Sequence, residues 1–426
     1  MSIEQSFYET LMKTQRFPPE AMWAYQRGLL ERLVRHAREQ VPFYRDTGRL
    51  DPLFDANDAV DWSRWSDIPL LTRDDIQKSN ASIFAENWPT ELGEAVDSFS
   101  SGSTGRPIKI RSTNLQRQAH IALAWRAAWW HGRERKTPLL AIRNALPKWQ
   151  QNDTVVRIRD GVWDSPRFGR IYLELNQSIE EQLSVIREFR PPWIITYASH
   201  AAILADAADD EFADVEVLFV TGEVLDTDSR ARITSKFRGS LIDVYAISET
   251  GPVAYGAPGG GYHVCDEMLL FERRAFDSKE NFQEAILTPL YGYSMPLIRY
   301  QSDDLVSMPG AADPDSDIRL TRIDAIKGRV RSAFTLPDGN KIMVTVNCSR
   351  LVHIADIEQF ALLQERRDHA TMKIVARGPV APDAPERIRA VLEPDFFGQL
   401  KLDVVFVDEL PRVGPKQGSF VVSLVS

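Results

Sequence analysis

The stretch Trp193–Tyr245, WIITYASHAAILADAADDEFADVEVLFVTGEVLDTDSRARITSKFRGSLIDVY, decides the fold. Three short apolar runs stand in it: Trp193–Tyr197 (WIITY), Val215–Val220 (VEVLFV) and Leu241–Tyr245 (LIDVY). They are rich in β-branched and aromatic residues, and each is too short for a buried helix. Between them, Ser199–Ala208 and Asp226–Phe237 read as helices. Strand–helix–strand–helix–strand with short links is the pattern of parallel strands covered by helices. Ligands of such sheets bind beyond the carboxyl ends of the strands. The pattern therefore brings three loops to one edge: Tyr197–Ser199, Thr221–Glu223 and Ala246–Thr250.

Further elements extend this core. Upstream, Ser178-x-x-Glu181 is a capping box for a helix that Pro191-Pro192 stops. Ala119–Trp130 reads helical with Gly132 as its stop, and its Trp125, Trp129 and Trp130 read as core packing. Leu30, Leu33, Val34 and Ala37 repeat at helical spacing until Pro42 breaks the pattern. Downstream, the polar stretch Ile323–Ser332 with Gly328 reads as a linker. Beyond it, Ala355–Glu365 and Pro385–Leu392 read as helices, and Ala370–Ala376 and Leu402–Val407 as strands. The expected fold is α/β: a large N-terminal domain (1–328) with parallel-rich sheets flanked by helices, and a small C-terminal α+β domain (329–426).

Composition narrows the function. Of 426 residues, 43% are apolar and 26% charged, an ordinary globular balance. The net charge of −9 disfavours a nucleic acid or an anionic membrane as partner. No apolar run reaches the roughly 18 residues that span a bilayer. The first residues carry no basic segment followed by an apolar core. The only cysteines, Cys265 and Cys348, cannot build a disulfide framework or a cysteine-rich zinc site. The expectation is a reduced, cytoplasmic enzyme.

Four segments carry chemistry. Ser100-Ser101-Gly102-Ser103-Thr104-Gly105-Arg106-Pro107 packs hydroxyls, glycines and one cation together. Such a loop lets backbone N–H groups approach a phosphate; an ordinary flexible Ser/Gly loop has the same composition. Its spacing is not that of the G-x-x-x-x-G-K-[ST] nucleotide loop. Tyr245-Ala-Ile-Ser248-Glu249-Thr-Gly-Pro252 follows a strand directly. Its aromatic can stack on a base and its carboxylate can hold Mg²⁺ beside phosphates. In Met295-Pro-Leu-Ile-Arg-Tyr-Gln-Ser-Asp-Asp304-Leu305 an aspartate pair can accept bonds from ribose hydroxyls. Leu410-Pro-Arg-Val-Gly-Pro-Lys416 places a lysine on a Pro/Gly loop. His131, His200 and His263 read as structural histidines, and His263 with Cys265 lacks a third ligand for a metal.

Taken in order, these segments resemble the adenylate-forming superfamily, and within it the phenylacetate–coenzyme A ligase branch and its relatives. Val41-Pro-Phe-Tyr-Arg45 and Ile68-Pro-Leu-Leu-Thr-Arg-Asp-Asp75 look like that branch's N-terminal signature. Val220–Leu225 (VTGEVL) resembles its adenine-side segment, and Ile326-Lys-Gly-Arg329 its hinge. The resemblance implies ATP-dependent, AMP-forming activation of a carboxylic acid, an aromatic one, with transfer to the thiol of coenzyme A. An amine or a carrier-protein thiol is the alternative acceptor, and a non-catalytic nucleotide-binding relative the alternative protein. It implies that Ser100, Ser101, Gly102, Ser103, Thr104 and Gly105 form the phosphate loop, with Arg106 as its cation. Tyr245 would lie against adenine, Ser248 would belong to the nucleotide pocket, Glu223 would sit beside the adenine pocket, and Glu249 would hold Mg²⁺. Asp304 would bind ribose, Arg329 would lie at ribose and hinge, and Lys416 would bridge carboxylate and α-phosphate. Departures from the pattern are Arg106 where lysine is usual, Ala246 and Asp303 where glycine is common, and Arg331 and Ser332 where acids are typical.

Overall fold

The computed structural model describes residues 2–99, 108–136, 138–143, 156–159, 162–165, 169–175, 177–276, 282–308, 317–329, 333–339, 341–343, 351, 354–355, 357–376, 378–393, 400–410 and 420–425. The chain opens with helices α1 (Ile3–Thr14), α2 (Pro19–Gln40), α3 (Pro42–Thr47) and α4 (Arg73–Ser79). Leu30, Leu33, Val34 and Ala37 form the buried stripe of α2, and Pro42 separates it from α3. An antiparallel pair, β1 (Ala95–Phe99) and β2 (Lys109–Thr113), then runs straight into α5 (Asn114–Trp130), which the Thr113 side chain caps. Gly132, at a φ of 70°, follows the end of that helix as expected.

The main sheet comes next. Its strands are β3 (Leu139–Arg143), β4 (Val156–Arg159), β5 (Val162–Ser165), β6 (Arg170–Glu174), β7 (Trp193–Tyr197), β8 (Val217–Thr221), β9 (Ser240–Ile247), β10 (Gly251–Gly256), β11 (Tyr262–Val264) and, later in the chain, β15 (Arg322–Ile323). Their order is β15-β11-β10-β9-β8-β7-β3-β6-β5-β4. The middle, from β9 through β6, is parallel, and both flanks are antiparallel. Helices α6 (Ile179–Phe189), α7 (Ala198–Ala207) and α8 (Thr227–Lys236) cover one face. There Leu140, Ile142, Ile194, Leu218 and Val220 pack against Leu183, Ile186, Ala201 and Ile233. The expected capping box of α6 is present, with Ser178 and Glu181 bonding each other's backbone N–H. On the opposite face, Trp193, Val217, Phe219, Ile242 and Val244 pack against α1 and α5 through Leu11, Ala119, Leu123 and Ala127. A buried pair locks α5 to this frame: Arg126 Nη1 donates to Glu267 Oε1 at 2.6 Å.

A second sheet is wholly antiparallel, in the order β12 (Leu269–Ala275), β13 (Gln283–Pro289), β14 (Tyr300–Ser307), β16 (Ala325–Arg329). The linker reading of Ile323–Ser332 is thereby corrected. Ala325–Arg329 is a strand, its polar residues held by pairing with β14. The C-terminal part has the hairpin β17 (Ala333–Thr335) and β18 (Lys341–Met343) and a four-stranded sheet. That sheet is ordered β21 (Lys401–Phe406), β20 (His369–Ala376), β19 (Ile357–Arg366), β22 (Phe420–Ser423). Helix α9 (Ala384–Leu392) supplies Ile388 and Leu392 to the core beneath it. The helical reading of Ala355–Glu365 is wrong, because that stretch pairs with strands on both sides as β19. Among the described residues, no helix is long and apolar enough to cross a membrane.

Candidate active site

The three predicted loops meet at the carboxyl edge of the parallel strands. Beyond β8, Glu223 Oε2 accepts from the Ser199 backbone N–H at 3.0 Å, in the first turn of α7. Gly222, at a φ of 79°, sits so close to Tyr197 that a Cβ would lie 3.1 Å from its ring. Thr221 Oγ1 donates to the Val244 carbonyl at 3.2 Å, tying the β8 end to β9. Glu223 is exposed here, and so is Ser248.

Segments far apart in sequence are bonded to one another around this edge. Tyr245 Oη donates to Asp304 Oδ2 at 2.9 Å, joining YAISETGP to MPLIRYQSDDL across 59 residues. Arg73 Nη1 donates to Glu249 Oε1 at 2.5 Å, joining IPLLTRDD to YAISETGP across 176 residues. Both side chains of that pair are buried. Thr72 and Asp75 cap α4 reciprocally, at 2.9 and 3.1 Å, and so fix where Arg73 starts. Leu71 pairs with Tyr300, and Tyr44 Oη donates to the Pro296 carbonyl at 3.0 Å while accepting from Ile298 N–H. The Arg299 guanidinium donates to the carbonyls of Ser66 and Ile68, each at 2.7 Å. These bonds hold Arg299 at a φ of 54°, outside the usual range for a side chain of its size. Asp303, at the position where glycine is common, has a φ of 65°. Aspartate tolerates that left-handed conformation better than most residues, so the departure is compatible with the irregularity in the β13–β14 pairing at this point. Asp304 lies opposite Arg329 in the β14–β16 register, so the ribose and hinge candidates are cross-strand neighbours.

Other predicted residues fall elsewhere. Ser100, Ser101, Gly102, Ser103, Thr104, Gly105, Arg106, Arg331, Ser332, Cys348 and Lys416 lie outside the described residues, and Arg329 is described by its backbone alone. The predicted phosphate loop joins β1 to β2, whose register begins at Phe99 opposite Lys109. His131 bonds the Gly256 carbonyl at 3.0 Å and His200 the Gln182 side chain at 2.7 Å, which are structural roles. His263 packs edge-on against Trp130. Cys265 is buried, which pushes its thiol pKa up. Among the described residues, no group of histidine, cysteine, aspartate and glutamate could hold a metal ion. Glu249, the magnesium candidate, has one oxygen committed to Arg73 in a buried pair.

Two residues carry more than the sequence reading assigned to them. Arg73 stood inside a quoted motif without a role. His120, on α5, stood in no motif; its ring packs over Gly251, whose φ is 81° and where a Cβ would come within 2.4 Å. Burial and the charges of Arg117 and Arg170 lower the His120 pKa to about 4, so its imidazole is neutral at pH 7. The glycine of SETGP was the available signal for a close neighbour.

The chain matches no family model and no curated protein. Solved structures share its fold. 2-Hydroxyisobutyryl-CoA ligase in the postadenylation state, in complex with R3-HIB-AMP, superposes with a TM-score of 0.65 at 16% identity, over 96% of this chain and 91% of that one. The same ligase with 2-HIB-AMP and CoA in the thioesterification state gives 0.58 at 16% identity, over 97% and 92%. ATP-bound MatB from Rhodopseudomonas palustris gives 0.50 at 12% identity, over 76% and 65%. The chain therefore shares the fold of these solved ligases. The resemblance to the adenylate-forming superfamily, and within it to the phenylacetate branch, rests on the motifs.

Proposed function

We propose that this chain activates a carboxylic acid with ATP. A carboxylate oxygen attacks the α-phosphorus, the bond to the bridging α–β oxygen breaks, and pyrophosphate leaves. The thiol of coenzyme A then attacks the acyl carbon, loses its proton, and AMP departs. The observation that carries this reading is the joining of IPLLTRDD, YAISETGP and MPLIRYQSDDL around one sheet edge, through Arg73–Glu249, Leu71–Tyr300 and Tyr245–Asp304.

In this reading Asp304 accepts the ribose hydroxyls and Tyr245 sets its carboxylate, while Glu223 and Ser248 flank the nucleotide. The Ser100–Gly105 loop and Arg106 cradle the phosphates, with magnesium entering as the counter-ion of ATP. Lys416, on the small domain (329–426), reaches the α-phosphate when that domain swings into its adenylation pose. The acid is aromatic, as the motif resemblance implies. An amine or a carrier-protein thiol replaces coenzyme A in the alternative reading.

The test is acid-dependent pyrophosphate release across aryl, aliphatic and amino acids, followed by product analysis with coenzyme A and with amines. Release is expected to need an acid and to fall sharply in Asp304→Asn. Absence of acid-dependent release with every acid, or an unaffected Asp304→Asn, would sink the proposal.

A further inference from the structure

The turn between β9 and β10 is buried where a hairpin tip is normally wet. Ile247 pairs with Gly251, so Ser248, Glu249 and Thr250 form the connection. Thr250 N–H donates to the Ile247 carbonyl at 3.2 Å, and Gly251 follows at a φ of 81°. A three-residue hairpin connection closes in this way, with glycine in the left-handed position. Connections of this kind usually run over the surface. Ser248 does, yet Glu249 and Thr250 are only 6% and 4% exposed.

Two helices from the N-terminal part of the chain reach this tip. From α4, Arg73 holds the Glu249 carboxylate. From α5, His120 bears on Gly251. A Cβ at that position would meet its Nε2 at 2.8 Å and its Nδ1 at 3.2 Å, with Cε1 closer still. The imidazole therefore occupies the place that a side chain at 251 would take, and glycine is what admits it. Neither grip depends on the turn for its own position. Thr72 and Asp75 cap α4 beside Arg73. Thr113 caps α5, and Ala119 and Leu123, on either side of His120, are buried in the core beneath that helix. Side chains carried on capped and packed helices are held more precisely than side chains on loops. Helix α5 also continues directly from β2, the strand that follows the predicted phosphate loop.

Resting on the proposed acid activation, we infer that His120 is a positioning residue: its ring sets Gly251 and, together with Arg73, fixes where the Glu249 carboxylate stands during adenylation. The two grips act at different ends of one short turn. Arg73 acts by charge on residue 249, and His120 acts by shape on residue 251. With Arg73 alone the turn could still tilt about its ion pair; the second contact removes that freedom. His120 touches no reacting atom in this assignment, so its loss acts on the rate and not on the binding of the acid.

The experiment is a double-mutant cycle on the full chain with His120→Ala and Gly251→Ala, read by acid-dependent pyrophosphate release. His120→Ala is expected to lower kcat about tenfold, with KM for the acid within about twofold of wild type. Gly251→Ala brings two penalties: the strain of an alanine at positive φ and the clash with the ring. Only the strain remains once His120 is replaced. The fall in kcat caused by Gly251→Ala should therefore be about tenfold smaller in the His120→Ala background. Equal falls in both backgrounds overturn the inference. So does a His120→Ala enzyme with wild-type kcat, or one whose acid KM rises while kcat holds, because His120 would then be a wall of the acid site. If His120→Ala does not fold, His120→Asn, which lacks Cε1 and Nε2, takes its place in the cycle. If no acid supports release in the wild type, the activation reading fails, and hydrogen exchange decides the grip instead. Faster exchange of the Thr250 N–H in the His120 variant, with α5 unchanged, upholds it, and unchanged exchange overturns it.

Discussion

Two buried arginine–glutamate pairs of the same chemistry stand in different regions of this molecule. Arg126–Glu267, at 2.6 Å, lies between α5, α1 and the segment after β11, with side-chain exposures of 0% and 2%. Thr14 Oγ1 donates to the same Glu267 oxygen at 3.0 Å, and the Arg126 guanidinium sits 5.0 Å from the centre of the Trp130 ring. Arg73–Glu249, at 2.5 Å, lies at the sheet edge, with exposures of 8% and 2%. The first pair is enclosed by scaffold on every side. The second is held between α4 and the loop that follows β9, where the candidate motifs meet. A buried pair costs desolvation wherever it stands, so what it provides has to be read from its neighbours. Arg126–Glu267 orders a helix interface, and Arg73–Glu249 fixes a carboxylate at the edge where the candidate motifs meet.

The largest effect is expected from breaking the scaffold pair. Arg126→Met leaves Glu267 buried without its partner, which commonly costs about 3–5 kcal/mol. Denaturant unfolding should show that loss, while pyrophosphate release per folded molecule stays close to wild type. A variant as stable as the parent would end the contrast between the two pairs.

The site pair should respond the other way. Glu249→Gln is expected to lower adenylation about 10²–10³-fold, the usual loss when a preorganised polar group is removed from a reacting centre. Arg73→Gln should fall in the same direction, since it frees the Glu249 carboxylate from its position. Both should lose less stability than Arg126→Met. Full activity per folded molecule in both variants would show that the second pair is scaffold as well.

This contrast also marks what could be read from the sequence. The parallel strands were legible because WIITY and the β8 and β9 runs are short, largely apolar and separated by helices. β19 was not. Its residues, IEQFALLQER, include strong helix formers, and it is covered on both faces: Phe360 and Leu362 enter the core under α9, while Ala361 and Leu363 pack on the other side. Such a strand shows no alternation to read. Gln364 looks polar in sequence, yet it is buried, with its amide bonded to the Thr335 backbone at 3.0 and 2.7 Å. In the site, the motifs were visible but their pairing was not. Nothing local in IPLLTRDD says that Arg73 meets a glutamate 176 residues away. His120 was missed because a single histidine on a helix has no spacing to recognise.

A pair of histidines sharpens the comparison through pH. His263 in the scaffold and His120 over Gly251 of the candidate site both have a folded-state pKa of about 4, against 6.5 in an exposed histidine. Burial is the main cause in each; Arg322 and Arg126 add to it at His263, and Arg117 and Arg170 at His120. Between those values the unfolded chain binds protons that the folded chain refuses. Stability therefore falls as pH drops from about 6.5 towards 4. Asp266, raised to about 7 mainly by burial, works in the opposite sense, since its contribution is lost as pH rises through 7. The difference between variant and parent isolates the histidine. His263→Gln should flatten the acid side of the stability curve by about 2–3 kcal/mol and leave the pH profile of adenylation alone. His120→Gln should flatten stability similarly and also change that profile. Identical profiles for both variants would place His120 in the scaffold.

The smallest effect probes the site at its finest contact. Tyr245→Phe removes one hydroxyl and with it the 2.9 Å bond to Asp304. The ring is buried and keeps its packing against Ile247 and Val306, so the fold should barely notice. Asp304 itself is buried, and losing one donor leaves its carboxylate less firmly aimed. A hydrogen bond to a charged acceptor is worth about 1.5–3 kcal/mol in gross terms, and part of it returns when water or a sugar hydroxyl takes the vacated place. The expected result is a several-fold rise in KM for ATP, with kcat lowered less, because the bond orients a binding group and does not touch the reacting atoms. Replacing ATP by 2′-deoxy-ATP sharpens the test. If Asp304 receives ribose hydroxyls and Tyr245 aims it, the penalties for losing the hydroxyl and the tyrosine should be less than additive. Full additivity would mean that Tyr245 and Asp304 form a structural pair like Arg126–Glu267, and that the ribose is held elsewhere.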